Sequence, residues 1–111
     1  MSTKKDKFTK KDSFFMNLAF NLARDRSGLT GKNPPVGCVI VKNDEIISIG
    51  QTGLMGRPHA EFNAIKSSKK KLKNSTIYVS LEPCTHYGKT PPCSNLIIKS
   101  KIKKVIFSII D

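Results

Sequence analysis

The sequence predicts a single layered α/β domain, and three observations carry this prediction. The chain has 111 residues, and a chain of this length holds one hydrophobic core, because domains usually begin to divide only above about 250 residues. Its composition, 38% hydrophobic and 25% charged, is that of an ordinary folded protein. Short apolar segments alternate with segments of helical periodicity, which favours helices packed on a sheet whose last strands are parallel.

The first predicted element is an amphipathic helix that begins at Asp12 or Ser13 and runs to about Ser27. Either residue can cap the helix start, and Gly28 stands where a left-handed C-terminal cap is expected. The apolar residues that recur at helical spacing are Phe14, Leu18 and Leu22.

A β-hairpin is predicted next, after a Gly/Asn/Pro loop at residues 31–35. Val36–Val41 is a nearly continuous apolar run, which is typical of a strand buried on both faces. Asn43 and Asp44 form a turn, and Glu45–Gly50 is the second strand. A loop then occupies Thr52–Pro58.

The rest of the chain alternates between helix and strand. Helices are predicted at His59–Ser68 and Ser94–Ser100, because apolar residues recur there at helical spacing. Strands are predicted at Thr76–Leu81 and Val105–Ile110, which are rich in β-branched residues. Pro83–Pro92 is a loop.

The chain is strongly basic, with 20 Lys and Arg, eight Asp and Glu, and a formal charge of +12. This charge favours anionic ligands such as phosphates. Part of it lies in residues 1–11, for which we expect a mobile basic arm ahead of the folded domain at 12–111. The lysines are scattered through connecting segments without interleaved aromatic residues, so nucleic acid is disfavoured as a partner.

The expected location is the cytoplasm. The longest apolar run, Val105–Ile110, is far shorter than the roughly 18 to 20 residues that cross a bilayer, so no membrane segment is expected. Three cysteines, an odd number without a convincing export signal, indicate a reducing compartment, where thiols more often hold metals than form disulfides.

Four residues can carry chemistry. His59 and Glu61 are two apart at the predicted start of the second helix, and Cys84 and Cys93 bracket the start of the third. One histidine and two thiolates are good zinc ligands, and three protein ligands leave a position for water, as in catalytic zinc sites. Cys38 lies within an apolar strand and is expected to be a small buried hydrophobe, not a fourth ligand.

The predicted position at a helix start matters for His59 and Glu61, because side chains two apart inside a helix point about 200° away from each other. At the first turn both side chains can reach over the helix end. Zinc would bring the pKa of a bound water toward about 7, and a carboxylate is then needed to move protons. Glu61 can take the proton and deliver it to a ring nitrogen and a departing amine.

Each of these residues alone has an ordinary explanation. A histidine or glutamate at a helix start is usually a polar surface residue. Without a metal site, Cys84 and Cys93 would be either a disulfide pair or two unrelated thiols. Together, H-x-E, a strand and then P-C ahead of a helix form the pattern of zinc-dependent nucleobase deaminases.

Three segments carry a resemblance to a known family: N-P-P-V-G-C-V-I-V from Asn33, G-R-P-H-A-E from Gly56, and L-E-P-C-T-H-Y-G-K-T-P-P-C from Leu81. The third segment is the most specific, because general cytidine deaminases space their cysteines as P-C-x-x-C, whereas eight residues intervene here. The stretch 33–111 resembles the deaminase domain of the bacterial riboflavin-biosynthesis enzymes, the diaminohydroxyphosphoribosylaminopyrimidine deaminases. The resemblance implies a three-layer α/β/α cytidine deaminase-like domain with a mixed sheet, apparently truncated after the fourth strand.

The resemblance also implies a zinc site and a reaction. It makes His59, Cys84 and Cys93 the ligands of Zn²⁺ and Glu61 the proton shuttle. The implied reaction is attack by zinc-bound hydroxide on a diaminopyrimidinone that carries a ribosylamino 5′-phosphate, with loss of ammonia. Relatives commonly self-associate, so a homo-oligomer is a further expectation.

Three residues are candidates for holding this phosphorylated substrate. Asn33 matches the N-P-x-V-G segment of the family, and an amide can both donate and accept hydrogen bonds. Lys89 and Thr90 are candidates for the polar and phosphate end, whereas His86 in the same loop does not match a zinc ligand. Many relatives have a histidine where this chain has Thr52, so a contact made by that histidine is absent or replaced here.

Two alternative functions stay open. A deaminase of cytosine or of tRNA adenosine would use the positive charge to bind nucleic acid. A non-catalytic, zinc-stabilised binding module would have no need of Glu61. Relatives continue beyond the position of Asp111, commonly into a reductase domain, so we expect a fragment without reductase activity.

Overall fold

The computed structural model describes residues 8–81 and 93–107. Every predicted helix and strand has a counterpart in it. In chain order these are α1 (Lys10–Asp25), β1 (Gly37–Lys42), β2 (Glu45–Gln51), a single 3-10 turn (Leu54–Gly56), α2 (Ala60–Ser67), β3 (Thr76–Val79), α3 (Cys93–Lys99) and β4 (Lys104–Phe107). None of the helices in the described ranges combines the length and apolar character needed to cross a membrane.

The four strands form one mixed sheet in the order β2-β1-β3-β4. β1 is antiparallel to both β2 and β3, whereas β3 and β4 run parallel. The predicted parallel arrangement of the last strands is therefore confirmed. The hairpin turn is also as predicted: Asn43 and Asp44 both adopt positive φ, 53° and 62°, which a two-residue turn of the hairpin type requires.

Helices cover both faces of this sheet, which confirms the three-layer α/β/α architecture. Alternate residues of β1 point to opposite faces because side chains alternate along a strand. The buried residues on the side of α2 and α3 are Cys38, Ile40, Ala60, Ala64, Ile77, Val79, Ile97 and Ile102. The buried residues on the side of α1 are Phe15, Met16, Ala19, Val39, Val41 and Tyr78.

The start of α1 differs from the prediction. Thr9 is the N-cap: its Oγ1 accepts from the backbone N–H of Asp12 at 3.1 Å, and the Asp12 carboxylate accepts from the Thr9 N–H at 2.9 Å. The predicted cap at Asp12 or Ser13 is therefore wrong, because this reciprocal capping box satisfies the helix start one turn earlier. The last two residues of the predicted arm, which spans residues 1–11, thus belong to α1. Residues 1–7 of the arm lie outside the described ranges.

α2 lies directly against β2, because Gly50 has no side chain. A Cβ atom at Gly50 would lie 2.4 Å from the carbonyl oxygen of Ala60 and 2.5 Å from the nitrogen of Ala64. The Ser48 hydroxyl adds a hydrogen bond of 2.6 Å to the Ala64 carbonyl. The helix that follows His59 is consequently held close to this strand.

Candidate metal centre

The amino-terminal ends of α2 and α3 meet at the end of the sheet where β1 begins and β3 ends. Cys38 of β1 pairs with Val79 of β3 in the antiparallel register. Beyond this pair, the Ser80 N–H donates to the Gly37 carbonyl at 3.0 Å, and the Ser80 hydroxyl accepts from the Gly37 N–H at 2.9 Å. These bonds continue the sheet up to the residues that begin the predicted metal-binding loop.

His59 and Cys93 face each other at this end of the sheet. His59 is the N-cap of α2, and its side chain makes no capping hydrogen bond. Its Nδ1 lies 3.3 Å from the Sγ of Cys93, the buried first residue of α3. The structure therefore brings together two side chains that lie 34 positions apart in the sequence.

This pair of atoms suits a shared zinc ion. Imidazole nitrogen and thiolate sulfur are common zinc ligands, at about 2.0 to 2.1 Å and about 2.3 Å from the metal. Tetrahedral coordination with those bond lengths separates the two ligand atoms by about 3.6 Å. The observed separation of 3.3 Å is close to that span. The donor types and their spacing thus fit zinc.

The third predicted ligand, Cys84, lies outside the described residues, and so do Lys89, Thr90 and His86. Within residues 8–81 and 93–107, no three His, Cys, Asp or Glu side chains form a group that could hold a metal ion. The described part of the chain therefore supplies two of the three predicted ligands.

Glu61, the predicted proton shuttle, is the second residue of α2 and only 4% exposed. A carboxylate this deeply buried requires partners or a nearby cation, because moving its charge away from water is unfavourable. Glu61 and Cys93 both lie close enough to Cys38 for their charges to raise the pKa of its thiol, although burial is the largest cause of that shift. Cys38, fully buried in β1, occupies the core as predicted.

Asn33, the predicted substrate residue, is held by the loop ahead of α2. Its Nδ2 donates to the Gly56 carbonyl at 2.9 Å, and its own carbonyl accepts from the Thr30 hydroxyl at 2.6 Å. In the described part of the chain its Oδ1 accepts no hydrogen bond. The side chain is therefore fixed through its nitrogen and presents its oxygen as an acceptor.

Thr52 acts as part of the scaffold. It is 2% exposed, and its Oγ1 accepts from the Val36 N–H at 2.8 Å while its own N–H donates to the Val36 carbonyl at 3.0 Å. A side chain bonded in this way tethers the residues after Asn33 and does not face a ligand.

Asn63 is not among the predicted site residues, yet its side-chain amide donates to the Gln51 carbonyl and to the carbonyl of Pro58, the residue before His59. A signal was present, because asparagine is a poor helix former and inside a helix is often retained to bind backbone groups. Its partners could not be named in advance, because they depend on the path of the loop at 52–58.

Comparisons with known proteins place this arrangement in context. The sequence profile of the cytidine and deoxycytidylate deaminase zinc-binding region matches residues 9–109. The chain is 48% identical over 101 residues to a diaminohydroxyphosphoribosylamino-pyrimidine deaminase of Buchnera aphidicola subsp. Schizaphis graminum, and the match covers 91% of this chain and 69% of that protein. It is 47% identical over 100 residues to the riboflavin biosynthesis protein RibD of Aquifex aeolicus, covering 90% of this chain and 28% of that protein.

Solved structures show the same similarity. A diaminohydroxyphosphoribosylaminopyrimidine deaminase/5-amino-6-(5-phosphoribosylamino)uracil reductase of Thermotoga maritima superimposes with a TM-score of 0.82 at 46% identity, over 88% of this chain and 29% of that one. RibD of Acinetobacter baumannii gives a TM-score of 0.80 at 43% identity, over 89% and 28%. The chain therefore spans less than a third of the length of these RibD proteins.

Proposed function

Because the chain belongs to the cytidine and deoxycytidylate deaminase zinc-binding family, we propose that it catalyses hydrolytic deamination of a phosphorylated diaminopyrimidinone in riboflavin biosynthesis. Relatives at 47% and 48% identity carry the names of this pathway and this activity. The observation that carries the proposal is the 3.3 Å approach of His59 Nδ1 to Cys93 Sγ, beside a buried carboxylate on the same helical turn as His59.

Each proposed ligand has a defined electronic requirement. To bind zinc through Nδ1, His59 would carry its proton on the other ring nitrogen, and Cys93 and Cys84 would bind as thiolates. One imidazole and two thiolates together balance the charge of Zn²⁺. His59, Cys93 and Cys84 would hold the zinc ion, and zinc bound there would lower the pKa of a coordinated water to near neutrality and so would supply a nucleophile at physiological pH.

Glu61 moves the protons. Deamination adds water to the ring carbon that bears the amino group, breaks the carbon–nitrogen bond and releases ammonia. The Glu61 carboxylate takes one proton from the water and delivers it to the ring nitrogen, and it then moves the proton left on the added hydroxyl to the departing amine as the carbonyl forms. Glu61 is buried and lies near Cys38, and this burial limits the access of bulk water to the carboxylate.

The substrate is proposed to lie against the loop at residues 31–35, which contains Asn33. The Nδ2 bond to Gly56 leaves Oδ1 as an acceptor for a polar group of the ring or sugar. Lys89 and Thr90 are proposed to bind the phosphate end, because an ammonium group and a hydroxyl can both donate to phosphate oxygens. A small anionic molecule is thus the proposed ligand, in the cytoplasm, where a reducing environment keeps the two ligand cysteines available. A homo-oligomer is part of the same proposal.

Ammonia release from the phosphorylated pyrimidinone tests the proposal directly. Glu61→Gln is expected to retain zinc and to lower the turnover rate by about 100- to 10,000-fold, the usual contribution of a general acid–base. Glu45→Gln is the matched control, because Glu45 is exposed at the start of β2 and pairs with Lys70 at 3.5 Å. This variant should keep full activity.

Other substrates separate the alternatives. Ammonia release from cytidine, deoxycytidylate or tRNA adenosine, with none from the phosphorylated pyrimidinone, would support the proposed deamination but overturn the proposed substrate. Zinc binding without ammonia release from any of these compounds would favour a non-catalytic binding module.

A further inference from the structure

Asn63 lies one helical turn after His59. It is the fourth residue of α2 and is half-buried. Its backbone N–H donates to the His59 carbonyl at 3.0 Å and closes the first turn of the helix. Any hydrogen bond made by its side chain therefore acts on the segment that carries the metal-facing histidine.

The Asn63 side chain ties together the two ends of the loop that precedes His59. Its Nδ2 donates to the Gln51 carbonyl at 2.7 Å and to the Pro58 carbonyl at 3.3 Å. Both partners are acceptors only, so the amide NH₂ with its two N–H groups is the end that faces them. Gln51 is the last residue of β2, and Pro58 immediately precedes His59.

The Pro58 carbonyl is held from two sides. Besides Asn63 it accepts from the Gly53 N–H at 2.8 Å, a bond that closes the loop on itself. Asn63 provides the other attachment, which connects this closed loop to the edge strand. Without that amide, the Pro58 carbonyl would keep its bond within the loop but lose its bond to the helix.

His59 needs this external support because it does not cap its own helix. Ser, Thr, Asp or Asn at an N-cap binds a backbone N–H of the first turn and so fixes its own conformation. His59 makes no such bond, and its imidazole is directed at Cys93 instead. The direction of the ring must therefore be set by the backbone on either side of it.

We propose that Asn63 is a positioning residue for the metal centre. By holding the Pro58 carbonyl against the end of β2, it keeps His59 at the distance from Cys93 that one shared zinc ion requires. The inference rests on the proposed zinc centre, and it assigns Asn63 no contact with substrate or metal.

Two substitutions test this role. Asn63→Asp keeps the size of the side chain but replaces the NH₂ group, which supplies both donors, with a carboxylate oxygen that repels the two carbonyls. Asn63→Leu removes the hydrogen bonds without adding charge. Both are expected to weaken zinc binding by about 10- to 100-fold, the loss typical of residues that orient metal ligands. The zinc dissociation constant of the full chain is measured by competition with a chromophoric chelator under reducing conditions.

Ser48→Ala is the matched control. Ser48 makes another side-chain bond between β2 and the backbone of α2, 2.6 Å long, but to Ala64 and thus farther from His59. Its loss should lower the free energy of unfolding of the zinc-free chain and leave the zinc affinity unchanged. If Asn63 only stabilised the fold, Ser48→Ala and the Asn63 variants would change the zinc affinity to the same extent.

The outcomes separate the inference from the proposed function. Wild-type zinc affinity in both Asn63 variants would overturn the inference alone, and so would an equal loss of affinity in Ser48→Ala. A wild-type chain that binds no zinc would overturn the metal centre and the inference with it. If Asn63→Leu fails to fold, the isosteric Asn63→Asp decides the result.

Discussion

At the scale of single residues, the site depends on His59, which occupies the N-cap position of α2 but makes no capping hydrogen bond with its side chain. The placement of His59, Glu61 and Cys93 at helix starts could be predicted, because H-x-E and a cysteine ahead of a helix form a recognisable pattern. The supporting role of Asn63 could not, because its partners are backbone carbonyls whose positions depend on the folded loop at 52–58. Motifs reveal side chains that carry chemistry more readily than the residues that position them.

Tyr78 and Asp12 join β3 to the start of α1. The Tyr78 hydroxyl donates to Asp12 Oδ1 at 2.6 Å, and burial, followed by the effect of Asp12, raises the pKa of Tyr78 still further above neutral pH. Tyr78→Phe is expected to lower the free energy of unfolding by about 1 to 2 kcal/mol, because it removes a hydrogen bond to a charged but partly exposed carboxylate. Urea unfolding at neutral pH measures this loss.

The same pair makes that loss depend on pH. Burial alone would raise the pKa of Asp12, but hydrogen bonds from Tyr78 and Thr9 and the charge of Lys104 bring it below its ordinary value of 3.8. A carboxylate with a lowered folded-state pKa stabilises the fold above its unfolded-state pKa and loses that contribution as pH falls through the folded-state pKa. The difference between wild type and Tyr78→Phe should therefore shrink below about pH 4. A difference that grows in acid would contradict this account.

At the scale of elements, α2 positions both His59 and Glu61, and its placement depends on close contact with β2. Gly50→Ala is expected to push the helix away from the strand, because the new Cβ would lie 2.4 Å from the Ala60 carbonyl oxygen. Overpacking of this kind typically costs about 1 to 3 kcal/mol. We also expect weaker zinc binding, since His59 moves with the helix, and chelator competition measures it.

Gly28→Ala serves as the control for that substitution. Gly28 has φ of +80° with open space around it, so alanine there adds about 1 to 2 kcal/mol of backbone strain and no collision. Its stability should fall by a similar amount while its zinc affinity stays at the wild-type value. An equal loss of zinc affinity in the two glycine variants would contradict the expectation that zinc affinity depends on the contact between α2 and β2.

The existence and type of the elements could be predicted, but their exact ends and the strand order could not. Apolar periodicity identifies each helix and strand because it reports burial directly. The start of α1 was misplaced because Thr9 and Asp12, three residues apart, form a capping box with aspartate in place of the more usual glutamate or glutamine. The order β2-β1-β3-β4 depends on pairings between distant segments, which local patterns do not encode.

At the scale of the whole molecule, the described part of the fold places two lysine-rich links away from His59 and Cys93. The lysines of the links at 69–73 and 99–104 are scattered in sequence but meet at one end of the sheet. There the Lys103 N–H donates to the Ser75 carbonyl at 2.8 Å, and Lys42 Nζ donates to the Lys71 carbonyl at 3.3 Å. These links follow the carboxyl ends of α2 and α3, whereas His59 and Cys93 lie at the amino ends. Much of the positive charge is therefore remote from the site.

The proposed chemistry depends on one zinc ion held by His59, Cys93 and Cys84. Zinc-edge X-ray absorption on chain purified under reducing conditions, combined with metal analysis, tests this claim most directly. We expect one zinc per chain, with two sulfur atoms at about 2.3 Å and lighter ligands, including one imidazole nitrogen, at about 2.0 to 2.1 Å. A chain without zinc, or a metal shell that contains no sulfur, would contradict it.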